Sequence, residues 1–399
     1  MIIQSRMSKK IICLEDFEEK ARRKLPKMIF TYVDSYAEDG QSSRRNIESF
    51  KELYFVPRCL NDTSQRSSRT HLFGRSYDAP FGIAPMGIAA LTAYQGDLIL
   101  AKSAMAMNIP MILSGSSLIP MEVITDVAPG TWFQMYIPET SEKLEALIER
   151  VGKANFEVLV ITVDFPVSGN RENETRTGFS TPFKPGARLI WDGITHPRWL
   201  LFTWLKTLLT SGIPHFENNY AVRGAPIISK SVFRDFSGRT TFSWNNLSEV
   251  RKLWKGPLVV KGLLNDEDAR KACEHGADGI IISNHGGRQL DGSISPMDAL
   301  PRIRQAVSNN VKLMLDGGIR RGSDILKALA SGTDFVFIGR PFNYAAAVAG
   351  AQGVTQAIQI LLAEIDRNLA LLGIDSIDEL SHSFLYKPGS QIERQLARR

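Results

Sequence analysis

The chain has 399 residues, 43% of them hydrophobic and 23% charged, which is ordinary for a globular protein and excludes a collagen-like repeat, wholesale disorder and a polytopic membrane protein. Its 48 Lys and Arg exceed its 42 Asp and Glu by only six, too small a surplus to argue for nucleic acid as a partner. Three cysteines (Cys13, Cys59, Cys273) without a CxxC pair, and six histidines without HExxH, give no support to a disulfide framework or a metal site and point to a reducing cytosol. The start, MIIQSRMSKK, lacks the apolar stretch of a secretory signal.

Before residue 81 the pattern predicts helices and a covering segment. From there, short apolar runs recur that end in Gly, Asn, Asp or His, the look of buried parallel strands reaching a functional rim. They are Phe81–Pro85, Pro110–Ser114, Thr131–Tyr136, Val158–Val163, Pro257–Lys261, Gly279–Ser283, Val311–Leu315 and Phe335–Ile338. Helical periodicity fills most of the gaps, at Gly96–Met107, Ser141–Val151, Asp266–His275, Pro296–Ala306 and Gly322–Ala330, and Val354–Leu372 reads as an amphipathic closing helix. Eight strands alternating with helices predict an α/β chain folded as a (β/α)8 TIM barrel over about 78–372. An open doubly wound sheet would carry a glycine-rich turn after its first strand, and FGIAPMG is not one. One gap, Phe165–Gly256, is far longer than the rest, so the loop after strand four carries an insertion at about 177–243. The whole chain reads as a single domain.

Barrel chemistry gathers at the C-terminal strand ends. Here those ends carry Pro85-Met86-Gly87, Ser114, Gln134 and Tyr136, Thr162 and Asp164, Lys261, Ser283 to Arg288, Asp316-Gly317-Gly318, and Gly339-Arg340. The last two ends, in LDGGIRRG and IGRP, combine exposed backbone N–H groups with arginines, as a phosphate site does; two glycine turns with solvated arginines are the plainer alternative. His285 is a candidate base, Asp164 a carboxylate placed to orient it, and Arg171 and Arg288 are candidate clamps for a substrate carboxylate. By itself His285 reads equally as a histidine satisfying a loop carbonyl. Lys261 is either lowered by burial or held charged by an anion. A small carboxylate substrate and a phosphate-bearing cofactor follow from this set.

SNHGGRQLDG at Ser283–Gly292 resembles the signature of the FMN-dependent L-2-hydroxy-acid oxidases and dehydrogenases. LPKMIFTYVDSYAED, PFGIAPMG, WFQMY, ITVDFPVSGNRE, LVVKG, LDGGIRRGSDILKALASG and FIGRP extend the likeness from about Leu25 to about Ser381. DFPVSGNRE, THPRW and SWNNLSEVRKLWKGP resemble the membrane-associated L-lactate and (S)-mandelate dehydrogenase branch. The resemblance implies FMN as cofactor and His285 as catalytic base paired with Asp164. It gives Tyr32, Arg171 and Arg288 to the substrate carboxylate and sets Tyr136 near the substrate hydroxyl. It gives Pro85, Met86, Gly87, Ser114, Gln134, Thr162 and Lys261 to the flavin ring, Asp316 to the ribityl chain, and Gly317, Gly318, Arg320, Gly339 and Arg340 to the phosphate end. Asn170, Ser116 and Ser168 depart from residues common in the family, and the two serines imply a roomier or more polar pocket than one made for glycolate. A tetramer is implied as well.

The acceptor is open between oxygen, as in a soluble oxidase, and a membrane quinone. Gly87, where oxygen-using relatives often have Ala, favours the dehydrogenase. A non-flavin lyase using Lys261 as nucleophile is the remote alternative. Pro197–Gly212, PRWLLFTWLKTLLTSG, is too short at about 24 Å of helix to cross a bilayer. Its broad apolar face with Trp199 and Trp204, beside a stripe of Thr203, Lys206, Thr207 and Thr210, suits a peripheral membrane contact. So does the local surplus of cations (Arg198, Lys206, Arg223, Lys230, Arg234, Arg239) over Glu217 and Asp235. Packing on the barrel or at an oligomer interface is the alternative reading. With the resemblance, this predicts a cytoplasmic enzyme on the inner face of the inner membrane.

Overall fold

The computed structural model describes residues 11–180, 182–183, 186–229 and 240–389. Eight parallel strands carry the fold: β1 Phe81–Ile83, β2 Ile112–Ser114, β3 Trp132–Met135, β4 Leu159–Thr162, β5 Leu258–Leu263, β6 Gly279–Ile282, β7 Lys312–Asp316 and β8 Phe335–Ile338. Each pairs with its neighbour in sequence, β8 returns to β1, and the Ile83–Met111 bridge with the Ile83 N–H to Pro110 O bond closes the ring. This is a (β/α)8 barrel, and every predicted strand lies where its apolar run placed it.

The two-residue alternation of strands explains both the core and the rim. Ile112, Trp132, Val160, Val259, Ile281, Met314 and Phe337 form one buried cluster inside the barrel, and Phe81, Ile83, Leu113, Phe133, Leu159 and Ile161 face the surrounding helices. Two residues further along each strand, on the same inward side, stand Ser114, Gln134, Thr162, Lys261, Ser283, Asp316 and Gly339. The polar rim is thus the next layer of the apolar plug. A small hairpin, Thr70–Leu72 with Arg75–Tyr77, seals the opposite end with Leu72, Phe73 and Tyr77.

The predicted helices form where periodicity set them, with one extension, and Met121–Val127 and Trp244–Leu253 are helices it did not mark. Helix begins immediately after β8 and runs Arg340–Leu372, broken at Ala349 and Gly350, where Gly350 takes φ +59°. Only the part after the break carries an amphipathic pattern; Phe342, Tyr344 and Ala345 to Ala347 are buried, so periodicity gave no sign of the first part. Before the barrel come helices Leu14–Lys24, Lys27–Asp34 and Gln41–Lys51. The last packs so tightly over the β7 loop that a Cβ on Gly318 would lie 1.9 Å from Asn46 O.

The insertion forms helix Ala187–Thr195 and a second made of Pro197–Trp199, a π-helical turn Leu200–Leu205, and Lys206–Ser211. Its orientation revises the sequence expectation. The stripe lies along the barrel side rather than out in water: Thr203 is buried, and the exposed Lys206 and Thr210 both reach Tyr94, the ammonium 4.1 Å from its ring centre and Thr210 Oγ1 accepting its hydroxyl at 3.2 Å. Thr207 and Thr210 satisfy their hydroxyls on the carbonyls one turn back. Both tryptophans turn inward too; Trp199 is buried, donates to Leu91 O at 2.8 Å and stacks on Trp204. The outer face is Leu201, Phe202, Leu205 and Leu209, joined by Ile190, Trp191 and Ile194 of the first helix. Of the expected cations, Arg223 is paired with Glu217 at 2.9 Å, and Lys230, Arg234 and Arg239 lie outside the described residues.

Candidate active site

The rim builds a site from neighbouring strand ends. β4 and β5 run in register so that Thr162 faces Lys261, and β2 and β3 so that Ser114 faces Gln134. The Lys261 ammonium donates to Ser283 Oγ at 2.8 Å and lies 2.9 Å from Asp316 Oδ2, joining β5, β6 and β7. Burial pulls its pKa down, but the Asp316 and Asp164 carboxylates outweigh that and leave it above the ordinary lysine value. Lys261 is therefore a fixed cation.

Past β6 the backbone enters the left-handed region for three residues in a row, His285 (φ +57°), Gly286 and Gly287. Such a conformation is uncommon for histidine and is held here by surrounding contacts. Ser283 Oγ accepts the His285 N–H at 3.0 Å, and Asn284 accepts the Gly287 N–H at 3.1 Å while its amide pairs reciprocally with Asn46, both bonds at 2.7 Å. Gly287 is obligatory, since a Cβ there would sit 2.5 Å from Ser43 N. The loop delivers the imidazole so that Nδ1 is 2.9 Å from Asp164 Oδ1, leaving Nε2 for the hollow. Burial draws the His285 pKa below 6.5 against the opposing pull of Asp164, so the ring is a free base at neutral pH. Burial pushes the other way on Asp164, but His285 and Lys261 outweigh it and keep the carboxylate below its ordinary value.

The two arginines converge on the same space. Arg171 donates to Arg288 O at 3.0 Å and to Gln289 Oε1 at 2.8 Å; Arg288 donates to Tyr32 O and lies 5.1 Å from the Tyr32 ring centre. Gln289 in turn donates to the backbone oxygen of Asp164 at 3.0 Å, tying clamp to dyad. The sequence reading missed Glu174, whose carboxylate is 3.1 Å from Arg288 Nη2 and 3.8 Å from Arg171 Nη1. Its place three residues after Arg171 on one helical turn is the signal that would have found it. Phe165 was missed as well; its ring lies 5.6 Å from that of His285 and 5.5 Å from Tyr136.

Two adjoining hollows share Tyr32, Pro85, Gly87, His285 and Arg288. The inner one is lined further by Ser114, Ser116, Gln134, Tyr136, Thr162, Phe165, Arg171 and Lys261, the outer by Met86 and the glycine–arginine ends of β7 and β8. Every expected site residue lines one of them except Asp164, which stands behind His285. Ser168 is exposed and lines neither, so of the two serines expected to enlarge the pocket only Ser116 borders it. Arg340 differs from expectation in its bonds: its guanidinium donates to Val33 O, Ser35 O and Gly286 O, pinning the N-terminal segment to the β6 loop.

The lining fits FMN. Gln134 Nε2, buried and without a hydrogen-bond partner among the described residues, is oriented by the Ser114 hydroxyl on its Oε1, and Asp316 Oδ1 is likewise unpartnered. Buried polar atoms of this kind call for a partner. In the outer hollow, burial, reinforced by Arg288 and Arg320, pushes Arg340 down to about 10, so an anion beside it is favoured. The start of helix Arg340–Leu372 and the turns at Gly317 and Gly318 add backbone donors for a phosphate.

Comparison with known proteins agrees. Residues 21–387 match the family model described as FMN-dependent dehydrogenase. The chain belongs to that family. It is 38% identical over 383 residues to an L-lactate dehydrogenase of Ectopseudomonas mendocina, covering 93% of this chain and 98% of the relative. It is 35% identical over 385 residues to an (S)-mandelate dehydrogenase of Pseudomonas putida, covering 96% of each. A solved structure of the monotopic membrane protein (S)-mandelate dehydrogenase superposes with a TM-score of 0.85 at 33% identity, covering 94% of this chain and 99% of that one. Mandelate oxidase, with TM-score 0.78 and 30% identity over 94% of this chain and 98% of its own, has the same fold. The chain is thus an FMN-dependent dehydrogenase on a TIM barrel.

Proposed function

We propose that this dehydrogenase oxidises an L-2-hydroxy acid of lactate or mandelate type to the 2-oxo acid and passes the electrons to a membrane quinone. The buried His285–Asp164 pair, 2.9 Å apart and facing two arginines in one hollow, carries the reading. Arg171 and Arg288 hold the substrate carboxylate as bidentate donors. Glu174 restrains both guanidinium groups, and Tyr32, under Arg288, closes that wall. Tyr136 hydrogen-bonds the substrate hydroxyl, and His285 Nε2 takes the proton. Asp164 fixes the ring tautomer and stabilises the imidazolium that results. FMN, when bound, supplies the two-electron chemistry.

For the cofactor, Pro85 to Gly87, Ser114, Gln134 and Thr162 would hold the ring, and Lys261, fixed as a cation, would stabilise negative charge on its reduced form. Asp316 would meet the ribityl chain, and Gly317, Gly318, Arg320, Gly339 and the helix end at Arg340 the phosphate. The substrate loses two electrons and two protons, and the quinone that gains them leaves as quinol. Gly87, where oxygen-using relatives often have Ala, favours this outcome over an oxidase, and the wall is tight there: a Cβ would press to 3.3 Å from the Tyr32 hydroxyl and 3.2 Å from Ser116 Cβ. A lyase acting through Lys261 needs a depressed lysine, and this one is raised.

The apolar outer face of the insertion is the membrane contact, in keeping with the monotopic neighbour. Cytoplasmic placement on the inner membrane and assembly as a tetramer complete the reading. The test is anaerobic absorbance of the purified yellow protein with L- and D-2-hydroxy acids, followed by air or quinone. Bleaching by an L-acid and faster recovery with quinone are expected. A flavin that no L-2-hydroxy acid bleaches contradicts the substrate class, and faster recovery in air makes the enzyme an oxidase.

A further inference from the structure

The insertion forms an open-sided cavity of ≈ 370 Å³ between its two helices, lined by Phe183, Ile190, Ile194, Trp204, Leu208 and Ile213 among others, with Gly193 in its wall. The volume falls in the range of small-ligand sites, about 300–1,000 Å³. Among the described residues, no charged or hydrogen-bonding side chain other than the two indoles of Trp199 and Trp204 lines it, so those residues offer little to a polar ligand. Ile190, Ile194 and Ile213 each also reach the surface, so the cavity adjoins the exposed apolar face. Its opposite wall leads inward along a row of rings. Trp204 lies 6.1 Å from Phe183, Phe183 6.2 Å from Phe179, and Phe179 stacks on Tyr32 at 4.5 Å. Tyr32 belongs to both hollows of the active site.

We propose that this cavity holds the isoprenoid or alkyl tail of the quinone acceptor, so that the tail enters from the apolar face and the molecule is retained beside the Tyr32–Phe179 wall of the active site. The inference rests on the quinone reading above and deepens it. The row of rings from cavity to active site favours a redox acceptor over a structural lipid, which would have no use for it. Burying each methylene of a tail here is worth about fourfold in affinity, so tail length is the signal to look for.

Gly193 supplies the probe. A Cβ at Gly193 meets only the Leu200 methyl groups, at 3.5 and 3.9 Å, so Gly193→Leu is accommodated and directs its side chain into the space. The FMN-loaded enzyme and G193L are compared on the same phosphatidylcholine–phosphatidylglycerol vesicles. The ligands are two quinones with one head group, one bearing a ten-carbon tail and one only a methyl group. Binding is read from quenching of tryptophan fluorescence, and reoxidation kinetics give KM for each. G193L should weaken binding and raise KM for the tailed quinone about tenfold, leaving the tail-less quinone, vesicle binding and bleaching by substrate unchanged. Leu208→Trp, filling the cavity from its wall, should do the same. Unchanged affinity for the tailed quinone in both variants overturns the tail site while the acceptor reading stands. If neither quinone reoxidises the wild-type enzyme, the acceptor reading itself fails and takes this one with it. Labelling of Ala187–Ser211 by a photoactivatable phospholipid but not by a photoactivatable quinone also overturns the proposal.

Discussion

The barrel rim and the insertion solve opposite problems. At the rim, charged groups are buried and each is fixed by several partners: Lys261 between Ser283 and Asp316, His285 between Asp164 and Ser283, Arg171 between Gln289, Glu174 and the Arg288 carbonyl. In the insertion, apolar side chains stand out while Thr203 and the tryptophans turn inward, with Leu209 86% exposed and Thr203 only 9%. The first arrangement pre-organises chemistry, at the cost of desolvating charges. The second makes sense only against a non-aqueous surface. An exposed apolar face of that kind marks an interaction site.

The strongest way to break the rim is to remove the charge behind the base. Asp164→Asn should slow flavin reduction about 10²–10⁴-fold, the range of general acid–base contributions. Because Asp164 raises the His285 pKa against burial, its loss should also move the acidic limb of the reduction rate to lower pH. Rapid-mixing absorbance across pH reads both effects, and an unmoved limb separates Asp164 from the base.

A comparable effect is expected on stability at Asp97, which no part of the mechanism uses. Burial raises this carboxyl to about 7, and its Oδ2 has no partner among the described residues. With a folded pKa above the unfolded 3.8, the fold loses stability as pH rises from about 4 through 7. Asp97→Asn should therefore be more stable than wild type in mild alkali, by up to the order of 4 kcal/mol, with the gain vanishing in acid. Urea unfolding at the two pH extremes checks this; parallel curves contradict it.

Arg288→Met should raise KM for the hydroxy acid about 10- to 150-fold, the value of hydrogen bonds to a charged group, and Glu174→Gln should move it less. Steady-state kinetics with an artificial acceptor measures both. In the insertion, Phe202→Glu with Leu209→Glu should release the protein from anionic vesicles while leaving bleaching by substrate intact. Sedimentation with vesicles reads the effect, and retention would place the contact elsewhere.

The contrast also explains what the sequence made legible. Strand parity carries Val259 to Lys261 and Met314 to Asp316, so the rim could be read once the strands were found. Asn46 could not, because its role comes from a contact with a segment far away in the chain, Asn284; Glu174 was within reach as the i+3 neighbour of Arg171, though its contact with Arg288 was not. Helix Pro197–Ser211 was visible as a helix, yet its direction was not. Amphipathic reading assumes water on the polar side, and here Tyr94 and the helix's own carbonyls satisfy that side instead.

The most direct test of the account is His285→Asn, with FMN occupancy read from the absorbance spectrum and binding of the 2-oxo acid product from its perturbation. The account predicts a yellow protein that binds the product normally and is bleached by the L-2-hydroxy acid at least about 10²-fold more slowly than wild type. Bleaching at the wild-type rate, with FMN and product bound, would contradict it.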